Sequence, residues 1–317
     1  MKFRESHIRY KIRHLSNLYD RNLTYLIKSK KYDYRPPLFI CGSGRNGSTL
    51  ISSILNNHDN VFIPPENSII PFAIKFFLFN KLYRWNYKVE KIITELKKPS
   101  KWKLNIDELE DQLKSLPKNR QNVNYLINHI YFFYAKHHSK NNALIWGDKT
   151  PSNTVFSLIM KKQFAGSKVL FMIRDPRDVI NSLLKINYEY YIEILDFKIW
   201  IWKNSVAKYK EISEKYPKDI LLLPYEEFVV APEKKMHQII NWLDLQENKL
   251  IIDGKESNMD ILGVQDANHH QQIRENISGK SINNWNIELD TNIVQKIELA
   301  LKNEMIDFNY ELSNNYH

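Results

Sequence analysis

The sequence predicts an α/β fold, a three-layer sandwich on a central parallel sheet of about five strands. Three observations predict it. Short apolar runs alternate with helical patterns over much of the chain, the signature of strand–helix–strand units with both sheet faces covered. A glycine-rich turn joins the first strand to the first helix. Only 8 glycines and 12 prolines occur in 317 residues, which argues against fibrous or linker-rich designs.

Residues 1–35 read as a helical arm, because Ile8, Ile12, Leu15, Tyr19 and Leu26 recur at helical spacing between charges. Pro36-Pro37 ends the arm, and Leu38–Cys41 follows as a buried strand. The turn Gly42-Ser43-Gly44-Arg45-Asn46-Gly47 opens a helix over Ser48–Asn57. Val61–Ile63 reads as a second short strand, stopped by Pro64-Pro65. From about 72 to 139 the pattern is helical and aromatic. Strands return at Ala143–Trp146, Lys168–Ile173 and Ile220–Leu223, followed by helices over Ser152–Phe164, Pro176–Lys185 and Pro232–Leu243. The expected organisation is a basic arm, 1–35, and one domain, 36–317, with a helical insertion at about 72–139.

Composition narrows the function. The chain is 43% hydrophobic and 26% charged, long enough for a large core. Cys41 is the sole cysteine, so no intrachain disulfide forms and a cysteine-rich metal site is excluded. The pairs His137-His138 and His269-His270 are adjacent rather than at the i, i+4 spacing of a helical metal site, and no metal is expected. The N-terminus lacks the apolar stretch of a secretory signal. The apolar run Ile69–Phe79 is broken by Pro71 and Lys75 and falls short of the ~20 residues of a span. A soluble cytoplasmic chain is expected. The net charge of +10 suits an anionic partner: nucleic acid, a membrane surface or a phosphorylated cofactor. Ten basic and three acidic residues in 1–35 place most of that charge in the arm. The arm reads either as a peripheral contact to anionic lipid or an acidic partner, or as a helix packed on the domain.

The glycine turn admits three readings. Gly42-x-Gly44-x-x-Gly47 with Glu66 nineteen residues on fits a dinucleotide fold with an acid on the ribose. Gly42-x-x-x-x-Gly47-Ser48-Thr49 is a Walker A loop lacking its lysine, which counts against nucleoside triphosphate hydrolysis. All readings share an anion site made of backbone N–H groups at a helix N-terminus.

The third reading covers more of the chain. PLFICGSGRNGSTLISSILNNHDNVFIPPENSIIP resembles the 5′-phosphosulfate loop of sulfotransferases that use 3′-phosphoadenosine 5′-phosphosulfate, with Asn46 for the usual serine and Ser48 for the first threonine. A second anchor, Lys168 to Ser182, reads as strand, turn and helix, with Asp175 as N-cap and Pro176 at N1. In this family the residues matching Arg174 and Ser182 hold the 3′-phosphate, so the dinucleotide dehydrogenase becomes the alternative, beside a non-catalytic nucleotide-binding module. Trp146-Gly-Asp-Lys-Thr-Pro151 resembles the family's Lys-x-Pro stretch, and ILLLPYEEFVVAP its "YEDLVxxP" element. The motifs are closest to the tyrosylprotein and carbohydrate type.

The resemblance implies transfer of a sulfuryl group to an acceptor hydroxyl on a glycan, glycolipid, tyrosine or small alcohol, releasing adenosine 3′,5′-bisphosphate, with no nucleic acid as partner. Glu66 becomes the candidate general base and Lys149 its electrophilic partner. Gly44, Arg45, Asn46, Gly47, Ser48 and Thr49 serve the 5′ side, with Arg45 also assisting transfer, and Tyr225 lines the adenosine site. Asn284 stands where relatives carry a basic residue, and Arg274 or Lys280 is the expected substitute. Phe76, Phe77, Tyr83, Trp85 and Trp102 of the helical insertion either stack on an acceptor ring or pack the core.

Overall fold

A computed structural model describes residues 23–24, 26–27, 32–98, 102, 105–185, 191–246 and 279–313. Strands β1 (Leu38–Gly42), β2 (Val61–Phe62), β3 (Ile145–Asp148), β4 (Lys168–Ile173) and β5 (Ile220–Pro224) form one sheet in the order β2-β3-β1-β4-β5. Every pairing is parallel, and the central β1 sets Leu38 against both Gly147 and Lys168. Both faces are covered, which is why the strands are apolar along their whole length rather than alternating.

Side-chain alternation divides the core in two. Phe39, Cys41, Val169 and Phe171 point to one face; Leu38, Ile40, Leu170 and Met172 point to the other. The second face is closed by α1 (Ser48–Leu55), α9 (Tyr225–Val230) and α10 (Pro232–Trp242). The first is closed by a thicker layer: α2 (Ile69–Phe79), α3 (Trp85–Leu96), α4 (Ile106–Lys114) and α5 (Val123–His137), then α6 (Asn153–Gln163), α7 (Pro176–Leu184), α8 (Tyr191–Lys215) and α12 (Thr291–Asp307). The short α11 (Trp285–Glu288) precedes α12. The expected three-layer architecture with five parallel strands is the one observed.

Local chemistry places several helix ends. Asn122 accepts from the N–H groups of Asn124 and Tyr125 at the start of α5, and Asp175 accepts from Arg177 N at the start of α7, where Pro176 holds the first turn. The Lys140 ammonium donates to the Asn56 and His58 carbonyls just past α1, the polarity a helix C-terminus favours.

Some elements differ from expectation. The third strand lies two residues later than Ala143–Trp146, because Gly147 and Asp148 pair with Leu38 and Phe39. Gly and Asp disfavour strands, but the neighbour's ladder overrides propensity. The long α8 has no counterpart among the expected elements, although Leu195, Ile199, Trp202 and Val206 repeat at helical spacing and are buried.

The end of the arm is fastened to the domain. Leu23 and Ile27 are buried in the first core, Asp33 bonds Arg120 at 2.9 Å and Tyr125 at 2.6 Å, and Arg35 donates to the Asp244 carbonyl. The arm's other basic residues, from Lys2 to Lys31, lie outside the described residues. No helix among the described residues is long and apolar enough to cross a membrane.

Candidate active site

Each strand delivers a candidate residue at its C-terminal end. The glycine loop follows β1, Glu66 comes after β2, Lys149 follows β3 directly, Arg174 follows β4, and Tyr225 follows β5. In open parallel sheets this edge is where ligands bind.

The glycine loop is held from below and left open above. Thr154 Oγ1 accepts from Gly42 N and donates to Gly42 O, each at 2.8 Å. Asn46 is buried, and its Nδ2 donates to the Met172 carbonyl at the end of β4, so its side chain fastens the loop. Gly47 takes φ 88° as the cap of α1, and a Cβ there would meet the Tyr225 ring at 2.6 Å. Only glycine fits both conditions. Gly47 brings no side-chain acceptor to the first N–H groups of α1, while at Gly44 a Cβ would meet only open space. Ser48 and Thr49, half-buried, begin that helix.

Adjacent strands β1 and β4 bring the two sequence anchors together. Arg45, at φ 53°, donates from Nε to Ser182 Oγ at 3.0 Å, and Arg174 donates to the Arg45 carbonyl at 3.1 Å. Burial and the neighbouring Arg174 push the Arg45 guanidinium below its usual pKa. Two cations held this close favour an anion between them. Arg174 also donates to the Ser281 carbonyl at 2.5 Å and lies 4.5 Å over the Tyr225 ring, while its buried Nε has no partner among the described residues. Tyr225 is itself buried, its hydroxyl 2.5 Å from Ser281 Oγ, so it packs between the anchors.

The third group is an ion pair. Lys149 Nζ lies 2.9 Å from Glu66 Oε1; the lysine side chain is 2% exposed and the glutamate 46%. The neighbouring carboxylate, Asp148, turns away into the core. It accepts from Thr150 N at 2.8 Å, from Asn153 Nδ2 at 2.5 Å and from the Tyr131 hydroxyl. Burial raises its carboxyl above the usual range and lifts the Tyr131 phenol as well. The turn carrying Lys149 is thus pinned on one side by Asp148 and on the other by Thr150 Oγ1, which exchanges bonds with Asn67 N and O.

The dinucleotide reading fails on topology. A dinucleotide fold places the second strand beside the first, with its acid on the ribose. Here β3 separates β2 from β1, and Glu66 meets a lysine instead.

The insertion aromatics divide. Trp102 is buried, donates from Nε1 to the Pro65 carbonyl at 2.7 Å and stacks on Tyr134 at 4.8 Å, so it supports the Glu66 segment from behind. Trp85 bonds the Leu113 carbonyl and packs on Phe77, and Phe76 stacks on Phe72. Tyr83 stands exposed. Lys280 sits on an exposed turn; Arg274, His269 and His270 lie outside the described residues. Among the described residues no group of three His, Cys, Asp or Glu side chains is arranged to hold a metal.

Sequence reasoning passed over Thr154, Asp178, Tyr131 and Ser281. Asp178 accepts from the N–H groups of Asn283 and Trp285 at 2.8 and 3.0 Å, which lays the 279–285 segment across Arg174. Only the order strand-turn-helix at 168–182 hinted at Asp178; the others depend on contacts 17 to 112 residues away.

Comparison with known proteins agrees with this geometry. A family model described as "Sulfotransferase family" matches residues 36–249. Protein-tyrosine sulfotransferase 2 of Gallus gallus is 24% identical over 263 residues, 79% of this chain and 63% of that protein, so this chain spans less than two thirds of that relative. Among solved structures, the sulfotransferase domain from the curacin biosynthetic pathway matches with a TM-score of 0.58 at 18% identity, covering 89% of this chain and all of that one. The sulfotransferase domain from the Synechococcus PCC 7002 olefin synthase gives 0.55 at 19%, covering 90% and 100%. With the two anchors joined across β1 and β4 and the family matched from the first strand onward, the chain belongs to the sulfotransferase family, enzymes of sulfuryl transfer.

Proposed function

We propose that the donor is 3′-phosphoadenosine 5′-phosphosulfate and that Glu66 and Lys149 carry the transfer to an acceptor hydroxyl. The observation that carries this reading is the Lys149–Glu66 pair at the strand edge that also holds the Arg45–Ser182–Arg174 cluster. The residues present suit a nucleotide with two separate anionic groups. Arg174 with its spare Nε, and Ser182, would hold the 3′-phosphate. The N-terminus of α1 with Arg45, Ser48 and Thr49 would hold the phosphosulfate, Gly44 and Gly47 allow close approach, and Asn46 keeps the loop in place. When bound, the donor supplies the activated sulfuryl group.

Lys149 holds Glu66 through Oε1, and the glutamate side chain as a whole is about half exposed, so Oε2 is the oxygen assigned to the acceptor. The acceptor oxygen bonds to sulfur as its proton passes to Glu66 Oε2, and the bond from sulfur to the bridging phosphate oxygen breaks. Lys149 and Arg45 supply positive charge to the leaving oxygen, which departs on adenosine 3′,5′-bisphosphate. A sulfuryl group carries a single negative charge, so these side chains meet the demand without a divalent ion, and transfer should persist in chelator.

Calorimetry separates this reading from its rivals. Adenosine 3′,5′-bisphosphate should bind the wild type and NAD⁺ should not, with Arg174→Ala weakening the bisphosphate about 10- to 100-fold. Absence of bisphosphate binding by wild type sinks the proposal. Transfer of labelled sulfate to an acceptor panel then distinguishes enzyme from binding module. Peptide tyrosine leads that panel, given the Gallus gallus relative, with glycans, glycolipids and small alcohols beside it.

A further inference from the structure

Ten large apolar side chains stand exposed among the described residues, and four fall within nine positions: Phe79, Leu82, Tyr83 and Tyr87. They occupy the tip where α2 turns into α3, and Leu82 is 100% exposed. Elsewhere exposed apolar residues are scattered, as surfaces ordinarily show. A concentrated patch of this kind marks an interaction surface.

Charge identifies the partner. No acidic residue occurs from 68 to 89, whereas Lys81, Arg84 and Lys88 flank the apolar tip. Lys81 and Arg84 are exposed, and Lys88 bonds back to the Lys81 carbonyl at 3.2 Å, bracing the turn. The first acid beyond, Glu90, lies 3.3 Å from Lys114 and is thereby partly neutralised. Tyrosines beside an aliphatic point, ringed by cations, match the interface of an anionic bilayer: rings settle at headgroup depth, the leucine reaches the acyl boundary, and the cations meet phosphate.

We propose that the α2–α3 tip is a peripheral docking site for an anionic phospholipid surface, with Leu82 as the inserting side chain and Lys81 and Arg84 as headgroup contacts. The proposal is independent of the donor and of the acceptor. It concerns a different segment from the basic arm, and the test must separate the two. Because Cys41 is buried and its thiol pushed up to about 12, Leu82→Cys adds the one readily labelled cysteine.

Full-length Leu82→Cys carrying a polarity-sensitive fluorophore is titrated with phosphatidylcholine vesicles, with and without about one third phosphatidylglycerol. A label at Ile306→Cys, another exposed apolar position, serves as reference. The expected result is a blue shift at 82 on anionic vesicles only, none at 306, and an apparent partition coefficient about 30-fold lower with Lys81→Gln and Arg84→Gln together. Four outcomes overturn the proposal. Sedimentation with vesicles without a shift at 82 assigns binding to the arm. A blue label before vesicles, with a dimer in solution, assigns the tip to a second copy. A shift with polyglutamate but not with vesicles assigns it to an acidic polymer. No vesicle binding at all removes it outright.

Discussion

Two ionic clusters flank the same sheet edge, and they are built differently. At Arg177 every charge is enclosed. Its guanidinium forks onto Asp175 at 3.0 and 2.7 Å, reaches Glu298 at 2.6 Å and lies 3.7 Å over the Trp285 ring. Glu298, with no exposure, also takes the N–H and hydroxyl of Ser313. At Lys149 only the cation is enclosed; its carboxylate partner is half open. A network whose donors and acceptors are all satisfied fixes shape. A buried cation holding an open carboxylate fixes a charge where a substrate can meet it. Enclosure therefore separates scaffold from reagent more sharply than the presence of an ion pair does.

Breaking the enclosed cluster should have the largest effect. Arg177→Met leaves Asp175 and Glu298 buried without their cation, and urea denaturation should show a loss of about 3–5 kcal/mol. A loss under about 1 kcal/mol would mean the cluster opens to water. The open cluster should answer oppositely. Glu66→Gln should lower the transfer rate about 10³-fold while costing less stability than Arg177→Met, because its amide oxygen still accepts from the buried Lys149 ammonium. Equal effects on stability from both variants would erase the distinction.

Next comes the support behind the open cluster. Tyr131→Phe leaves a buried oxygen of Asp148 short of a donor and should cost about 1–3 kcal/mol in stability. If Asp148 positions Lys149, the same variant should lower the turnover rate more than it weakens donor binding. A stability loss with unchanged turnover would make the Tyr131–Asp148 bond purely structural.

The contrast also explains what the sequence could disclose. Short-range order did so well: β1, its glycine turn and α1 are contiguous, as are β4, Asp175-Pro176 and α7, so both anchors were legible before folding. Glu66 and Lys149 each stand out by residue type and place, but nothing local shows that residues 83 apart meet at 2.9 Å. Their meeting follows from β2 and β3 being neighbours, a matter of strand order. Asp148 shows the converse. Beside Lys149 in sequence it looks like a partner, yet successive residues leaving a strand point to opposite sides, and it is buried against Tyr131. Residue type alone does not assign Trp102 and Asn46 a use; burial does, and burial has no local signature.

The smallest expected effect is a pH dependence from Asp148 itself. Burial raises its carboxyl above the usual value, although hydrogen bonds from Tyr131, Thr150 and Asn153 act the other way. A carboxyl raised on folding takes up a proton more readily in the folded chain than in the unfolded one. Its stabilising share is complete below the unfolded pKa of about 4 and is lost as pH rises through the folded value. Asp148→Asn removes that titration while keeping the shape. The melting temperature of wild type, measured against Asp148→Asn, should therefore climb as pH falls from about 7 to about 4. Glu226 and Asp178, raised by burial too, remain in both proteins and cancel in the difference. A wild-type melting temperature that instead falls relative to Asp148→Asn on acidification would mean that the three donors outweigh burial and keep Asp148 ionised, a hidden charge held by hydrogen bonds alone.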